Sequence, residues 1–216
     1  LDLVLRQQDQ RKSKDDAIRG TEIPAGVAQQ IANHQRIVSI TFENEAKELH
    51  AIIQCVSKAL ERGNKLLLCG NGGSAAEAQH VAAELVGRFK TERTALPALS
   101  LNSDNAVITC LANDFGYDEI FSRQVSGLAQ PGDILMAIST SGLSTNIVNA
   151  LKAGRANKAI NIAFTGMMGK QRLSDLTDHI FCVHSSETDR IQEVHNLAFH
   201  LMVGEVELIL KNKSRA

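Results

Sequence analysis

Several signatures that would assign a protein to a class at once are missing from this chain. Its 23 basic and 24 acidic residues nearly cancel. No basic stripe therefore marks it for nucleic acid or an anionic membrane surface, and an anionic ligand must be held by local features. There is no run of about 18 apolar residues to span a bilayer. No secretory leader pattern is present either, because Leu1 to Leu5 leads straight into the polar stretch Arg6 to Asp16. The four cysteines (Cys55, Cys69, Cys110 and Cys182) show neither zinc-ribbon spacing nor a disulfide framework. They read as reduced core residues, and the expected location is cytoplasmic. Internal repeats and low-complexity tracts are absent as well.

What is present reads as one α/β domain, a size of chain that can bury a substantial core. Residues 1–24 are taken as an N-terminal extension and 25–216 as a single domain. From Ala25 to Arg62 apolar residues, among them Val27, Ile31, Val38, Phe42, Leu49, Ile53, Val56 and Leu60, recur every three or four positions. This periodicity predicts a long N-terminal helical segment ending at Gly63, either kinked or split into two helices. A helix of that length needs a partner on its second side, and another subunit is one solution. Beyond Gly63, short apolar runs alternate with helical patterns: Lys65 to Cys69, Pro97 to Leu101, Asp133 to Ile138, Ala159 to Phe164 and His179 to Val183. Five such strands separated by helices predict a doubly wound parallel sheet sandwiched by helices, with ligands beyond the carboxyl ends of its strands. A last helix is expected over Asp189 to Lys211.

Two of the strand ends stand out. The first passes into Gly70-Asn71-Gly72-Gly73-Ser74 and then a helical pattern, so the backbone can approach a ligand closely and free amides at the helix start favour an anion. The third passes into Ser139-Thr140-Ser141-Gly142-Leu143-Ser144, again followed by a helix. Four hydroxyls and the helix amides could surround one phosphate, although Ser144 also fits a helix cap. Neither loop carries a Walker lysine or the full dinucleotide fingerprint, which disfavours nucleotide chemistry.

Titratable residues cluster on two helical segments. His80 and Glu84, four apart, share one helix face and suit a metal or an ordinary surface pair. Arg88 fits an ion pair with Glu84 or a substrate contact. On the last helix Gln192, Glu193, His195 and His200 lie among apolar neighbours; spacing alone pairs Gln192 with His195, since His200 is about 12 Å farther along the axis. Asp189 and Arg190 suit a helix start. His34, His50, His179 and His184 follow no partner pattern and are read as structural or exposed.

The runs Cys69-Gly-Asn-Gly-Gly-Ser-Ala, Asn113-Asp114-Phe115-Gly116, Ser139-Thr-Ser-Gly and Arg190-Ile-Gln-Glu193 follow one another in an order and spacing that resembles the phosphoheptose isomerases, a family of the sugar-isomerase (SIS) fold. The resemblance covers roughly Ala46 to Leu210. It implies substrate contacts from Asn71, Gly72, Gly73, Asn113, Asp114, Ser139, Thr140, Ser141 and Ser144, with Glu84 and Gln192 also reaching the substrate and the hydroxyl loop on its phosphate. It implies one Zn²⁺ per subunit on His80, Glu84, Gln192 and His200, with Glu84 as catalytic base and His200 as the second acid-base group. The implied reaction is an aldose-ketose isomerisation of sedoheptulose 7-phosphate to D-glycero-D-manno-heptose 7-phosphate, a precursor of surface polysaccharide, in a homotetramer with sites near its subunit interfaces. Another phosphosugar on the same apparatus is an alternative. So is a non-catalytic tetramer of the family that binds the replication initiator DnaA. The segment Ala98 to Asn105 resembles that branch, whereas Glu84 and His200 are catalytic residues which that branch does not keep in full. The N-terminal extension and the glycine-poor loop Thr165 to Lys170 depart from the isomerase pattern.

Overall fold

A computed structural model of the protein describes residues 23–213. The extension read over residues 1–24 lies, up to residue 22, outside the described residues. The described residues fall into two units, one up to Arg36 and one from Ile37 onward. Helix α1 (Ala25–Glu61) begins in the first and runs into the second; it is assigned as one helix, not two. From Leu49 onward its buried residues include the predicted Leu49, Ile53, Val56 and Leu60, whereas nearer its start Ile37 and Thr41 are buried and the predicted Val38 and Phe42 only half-buried. It ends where expected, at Gly63, whose φ of 82° lets the amides of Gly63 and Asn64 reach back to Leu60 and Ala59.

The second unit holds strands β1 (Leu66–Gly70), β2 (Ala98–Ser100), β3 (Ile134–Ser139), β4 (Ile160–Gly166) and β5 (His179–Val183). They form one all-parallel sheet in the order β2-β1-β3-β4-β5. Helices α2 (Gly73–Val86), α3 (Asn105–Phe115), α4 (Ser122–Leu128), α5 (Thr145–Ala156), α6 (Met167–Leu173) and α7 (Thr188–Lys213) complete the fold. Of these, α2, α5 and α7 coincide with sequence expectations to within about two residues, whereas α3, α4 and α6 are short and went unrecognised.

Strand side chains alternate between two cores, as the pleat requires. Leu66, Leu68, Met136, Ile162, Phe164 and Phe181 pack with α1, α2 and α7. Leu67, Cys69, Leu135, Ala137 and Ala163 pack on the opposite face with α4 and α5. Because both faces are covered, β1 and β3 are buried at every position, which explains why they read as continuous apolar runs. Burial pushes the Cys69 thiol up to about 12 and the Cys182 thiol to about 11, in keeping with inert core cysteines; Cys55 is only half-buried and Cys110 on α3 is exposed, so the core reading fails for Cys110.

Two histidines without a sequence pattern turn out to fasten α1 to this sheet. His179 Nδ1 lies 3.0 Å from Glu48 Oε1. His184 Nε2 lies 3.5 Å from Glu45 Oε1, which also accepts from Lys170 Nζ at 2.7 Å. Glu45 is buried, so Lys170 and the His184 ring supply the partners that a carboxylate away from water requires.

Candidate active site

The chain leaves β1 toward β2 on one side, and β3 lies against β1 on the other, with β4 and β5 beyond it. The sheet therefore reverses its winding between β1 and β3, and their carboxyl ends open on a crevice at this switch point. The glycine loop follows β1 and the hydroxyl loop follows β3, so the two anion-suited loops are brought side by side. Between them is a cavity of about 320 Å³, lined by Asn71 to Ser74, Ser139 to Ser141, Ser144, Thr188 and Gln192. The N-termini of α2 and α5 converge there, a favourable setting for an anion. A larger cavity of about 750 Å³ lies along β2, α3 and α4 and contains none of the predicted site residues.

The loops are braced to each other. Asn71 and Asn146 exchange two side-chain hydrogen bonds of 2.9 Å, and the Tyr117 hydroxyl donates to Asn71 Oδ1 at 3.0 Å. Within the hydroxyl loop Ser139 Oγ accepts from the Gly142 amide and Ser141 Oγ from the Leu143 amide. Gly142 has a φ of 65°, and a Cβ there would lie 2.5 Å from Gly169 Cα, so only glycine fits. Ser144 occupies the N-cap position of α5, but its side chain makes no capping bond; the capping role expected for its hydroxyl is not observed. Asn146 and Tyr117 escaped the sequence reading, since nothing in local spacing links them to Asn71.

Helices α2 and α7 run alongside each other in the same direction, in contact at successive levels. At the crevice end Gln192 lies so close to Gly73 that a Cβ on Gly73 would overlap its amide group. At the middle level His195 is fully buried, with Nδ1 3.9 Å from Glu77 Oε2. Phe164 and Phe199 pack around its ring, and neither Glu77 oxygen nor His195 Nδ1 has a hydrogen-bond partner. At the far end His80 Nε2 stands 3.1 Å from both Glu84 Oε1 and His200 Nε2, while His200 Nε2 stands 3.5 Å from Glu84 Oε1.

This far end brings together three of the four predicted metal-binding residues. One donor atom from each of His80, Glu84 and His200 lies within 4.8 Å of the others. Two imidazoles and a carboxylate suit Zn²⁺, and Glu84 Oε2 is buried without a hydrogen-bond partner, as a group reserved for a metal or a substrate proton would be. Gln192 is placed differently: eight residues before His200 on the same helix, it lies about 12 Å away along the axis and faces the crevice. The spacing-based pairing of Gln192 with His195 also fails, because His195 points into the core.

Other predicted residues are not brought to the crevice. Asn113 and Asp114 are exposed at the end of α3, where the Asn113 amide donates to Asp114 Oδ1 at 2.8 Å. Arg88 pairs with Glu92 at 3.6 Å rather than with Glu84. Arg190 pairs with Glu193 at 2.5 Å and Asp189 at 3.2 Å. A further ion pair that sequence reasoning missed joins the segment after α2 to α7, beyond the triad: Arg93 Nε donates to Glu207 Oε1 at 2.8 Å. Burial opposes the charge of Glu207, but the amides of Phe89, Lys90 and Thr91, together with Arg93, hold its carboxyl below the usual range.

The match to known proteins follows the same features. The SIS domain profile matches residues 29–166. The phosphoheptose isomerase of a Roseiflexus species is 46% identical over 170 residues, covering 79% of this chain and 86% of that protein. That of Aquifex aeolicus is 46% identical over 178 residues, covering 82% and 93%. The chain belongs to the SIS-domain family. Within it, the chain groups with the phosphoheptose isomerases. The solved phosphoheptose isomerase of Neisseria gonorrhoeae superposes with a TM-score of 0.79 at 36% identity, and that of Francisella tularensis with 0.81 at 32%, each over 84% of this chain and 96% of the other. The SIS fold expected from the sequence, with its five parallel strands and long N-terminal helix, is therefore established.

Proposed function

We propose that this SIS-domain protein is a phosphosugar isomerase converting sedoheptulose 7-phosphate to D-glycero-D-manno-heptose 7-phosphate, a step toward surface polysaccharide. The reading is carried by one observation: an acid-base cluster of Glu84 and His200 stands two helical turns from a phosphate-suited crevice on the same pair of helices. Seven residues separate Gly73 from His80, roughly 10 Å of helix. The eight bonds from C1 of a heptose to its phosphorus extend about 10 Å at about 1.2 Å per bond, whereas the four bonds of a triose phosphate reach only about 5 Å.

In this reading Thr140, Ser141, Ser144 and the α5 amides hold the phosphate, and Gln192 and Asn71 orient the chain of hydroxyls. Glu84 removes a proton from C1 of the open-chain ketose and returns it to C2. His200 delivers a proton to the C2 oxygen and accepts one from the C1 hydroxyl, so the carbonyl moves from C2 to C1 with no net change in protons. His80, Glu84 and His200 would hold Zn²⁺, which when bound polarises the substrate carbonyl. Two features support an assembly, proposed to be a homotetramer, in which sites draw on neighbouring subunits. Val27 and Ile31 on the α1 stripe are exposed at 49% and 44%, and Asn113 and Asp114 lie away from the crevice of their own chain. No helix among the described residues is long and apolar enough to cross a membrane, and we place the activity in the cytoplasm.

The test is to follow sedoheptulose 7-phosphate by NMR with purified, zinc-supplemented protein, before and after chelation. Formation of the aldose, lost on chelation and restored by Zn²⁺, is the expected outcome. A zinc-loaded protein that leaves the ketose unchanged rules out the heptose assignment and favours another phosphosugar.

A further inference from the structure

The segment between α2 and β2 carries Phe89, whose ring stacks on the His200 imidazole with centroids 5.5 Å apart and planes 10° apart. His80 approaches the same imidazole edge-on, at 5.3 Å and 63°. His200 is 43% exposed along its side chain, so without these neighbours little would restrict its rotamer. Phe89 is itself held in place. Its amide and those of Lys90 and Thr91 donate to the Glu207 carboxylate at 2.9, 3.0 and 3.2 Å. Arg93 binds that carboxylate and also donates to the carbonyls of Glu84 and Leu85 at 2.7 and 2.8 Å. Those carbonyls belong to the last turn of α2, where the helix leaves its acceptors unused. One buried ion pair thus ties the end of the helix bearing Glu84 to the flank of the helix bearing His200.

We infer that Phe89 is a positioning residue for His200, clamped by the Arg93–Glu207 pair so that the imidazole keeps Nε2 directed at Glu84 and His80. The inference rests on the proposed role of His200 in metal binding and proton transfer. It assigns a purpose to a loop that the motifs do not include. Partners of this kind, which orient a ligand without touching the metal, are typically worth about 10- to 100-fold in metal affinity or activity.

The experiment compares wild-type protein with Phe89→Leu, which keeps the apolar bulk without the flat ring, and Phe89→Tyr, which restores the ring. Co²⁺ is titrated into metal-free protein and followed by its visible absorption, and kcat and KM are measured on sedoheptulose 7-phosphate. Phe89→Leu is expected to weaken Co²⁺ binding and lower kcat by about 10-fold each, with KM unchanged, and Phe89→Tyr to recover both. Unchanged Co²⁺ affinity and kcat in Phe89→Leu overturn the inference, as does equal impairment of the two variants, which would indicate general packing. If the wild-type protein binds Co²⁺ but does not turn over the heptulose, the proposed function fails while the Co²⁺ comparison still decides the role of Phe89. Wild-type protein that does neither overturns both.

Discussion

At the Gly73–Gln192 end of α2 and α7 the groups lining the crevice are mainly amides and hydroxyls of two neighbouring loops. At the His80–His200 end they are charged and aromatic side chains gathered from three separate segments. The first end is built from backbone geometry, so an added methyl group harms it more than a lost hydroxyl. The second depends on the identity of side chains, so conservative truncation there removes the chemistry while the fold survives.

The largest expected effect lies at the side-chain end. Glu84→Gln should lower kcat by about 10²- to 10⁴-fold on the proposed substrate, with the thermal midpoint close to wild type. Full activity in this variant would dissolve the distinction between the two ends. At the backbone end, Gly142→Ala combines a φ of 65° with the close approach of Gly169. It should cost about 1–3 kcal/mol, or roughly 2–12 °C in midpoint, and raise KM. An unaltered melting curve would show that the loop does not need glycine there.

Gln192→Ala sharpens the comparison, because it decides to which end Gln192 belongs. KM is expected to rise about 10-fold, the scale of one lost hydrogen bond near 1.4 kcal/mol, with zinc stoichiometry retained. Loss of zinc instead would move Gln192 into the metal site. A smaller effect concerns acid stability. Burial opposes the charge of Asp133, but the Lys65 side chain and amide, with the Gln130 amide and Asn64, hold its carboxyl below the ordinary value. A depressed folded pKa contributes stability that is complete above the unfolded value near 4 and disappears as pH falls through the folded value. The stability gap between wild type and Asp133→Asn, measured by urea denaturation, should therefore be constant near neutrality and close only below about pH 4. A gap that widens on acidification would reverse the sign. The smallest effect is expected for Gly204→Ala in α7, where the new Cβ meets Phe89 at an ordinary 3.5 Å. It should stabilise by about 0.5–1 kcal/mol with no change in kcat.

The elements that could be read from the sequence were those whose signals are local. The strands around Leu66, Ile134 and Ile160 declared themselves as apolar runs because both faces of the sheet are covered, and the two loops did so because glycine and hydroxyl residues are contiguous. Helix α3 went unrecognised although its signals are local too: Asp104 caps it, and Ile108, Leu111 and Ala112, three and four positions apart, pack on one face against the second core. His179 and His184 found partners on α1 that no spacing rule connects. Arg93 and Glu207, 114 residues apart, carry no local pattern that links them and are paired only by the fold.

By itself the sequence determined the five strands and the longer helices, the two anion-suited loops and the residue types available for acid-base chemistry, because hydrophobic period, glycine placement and helix starts act over a few residues. Only the tertiary structure decided which distant groups meet. It set β1 beside β3 so that both loops share one crevice, paired α2 with α7 so that His80, Glu84 and His200 converge, turned His195 into the core, and kept Gln192 two turns away. Those outcomes depend on how helices pack over a sheet, where eight residues along one helix put Gln192 about 12 Å from His200.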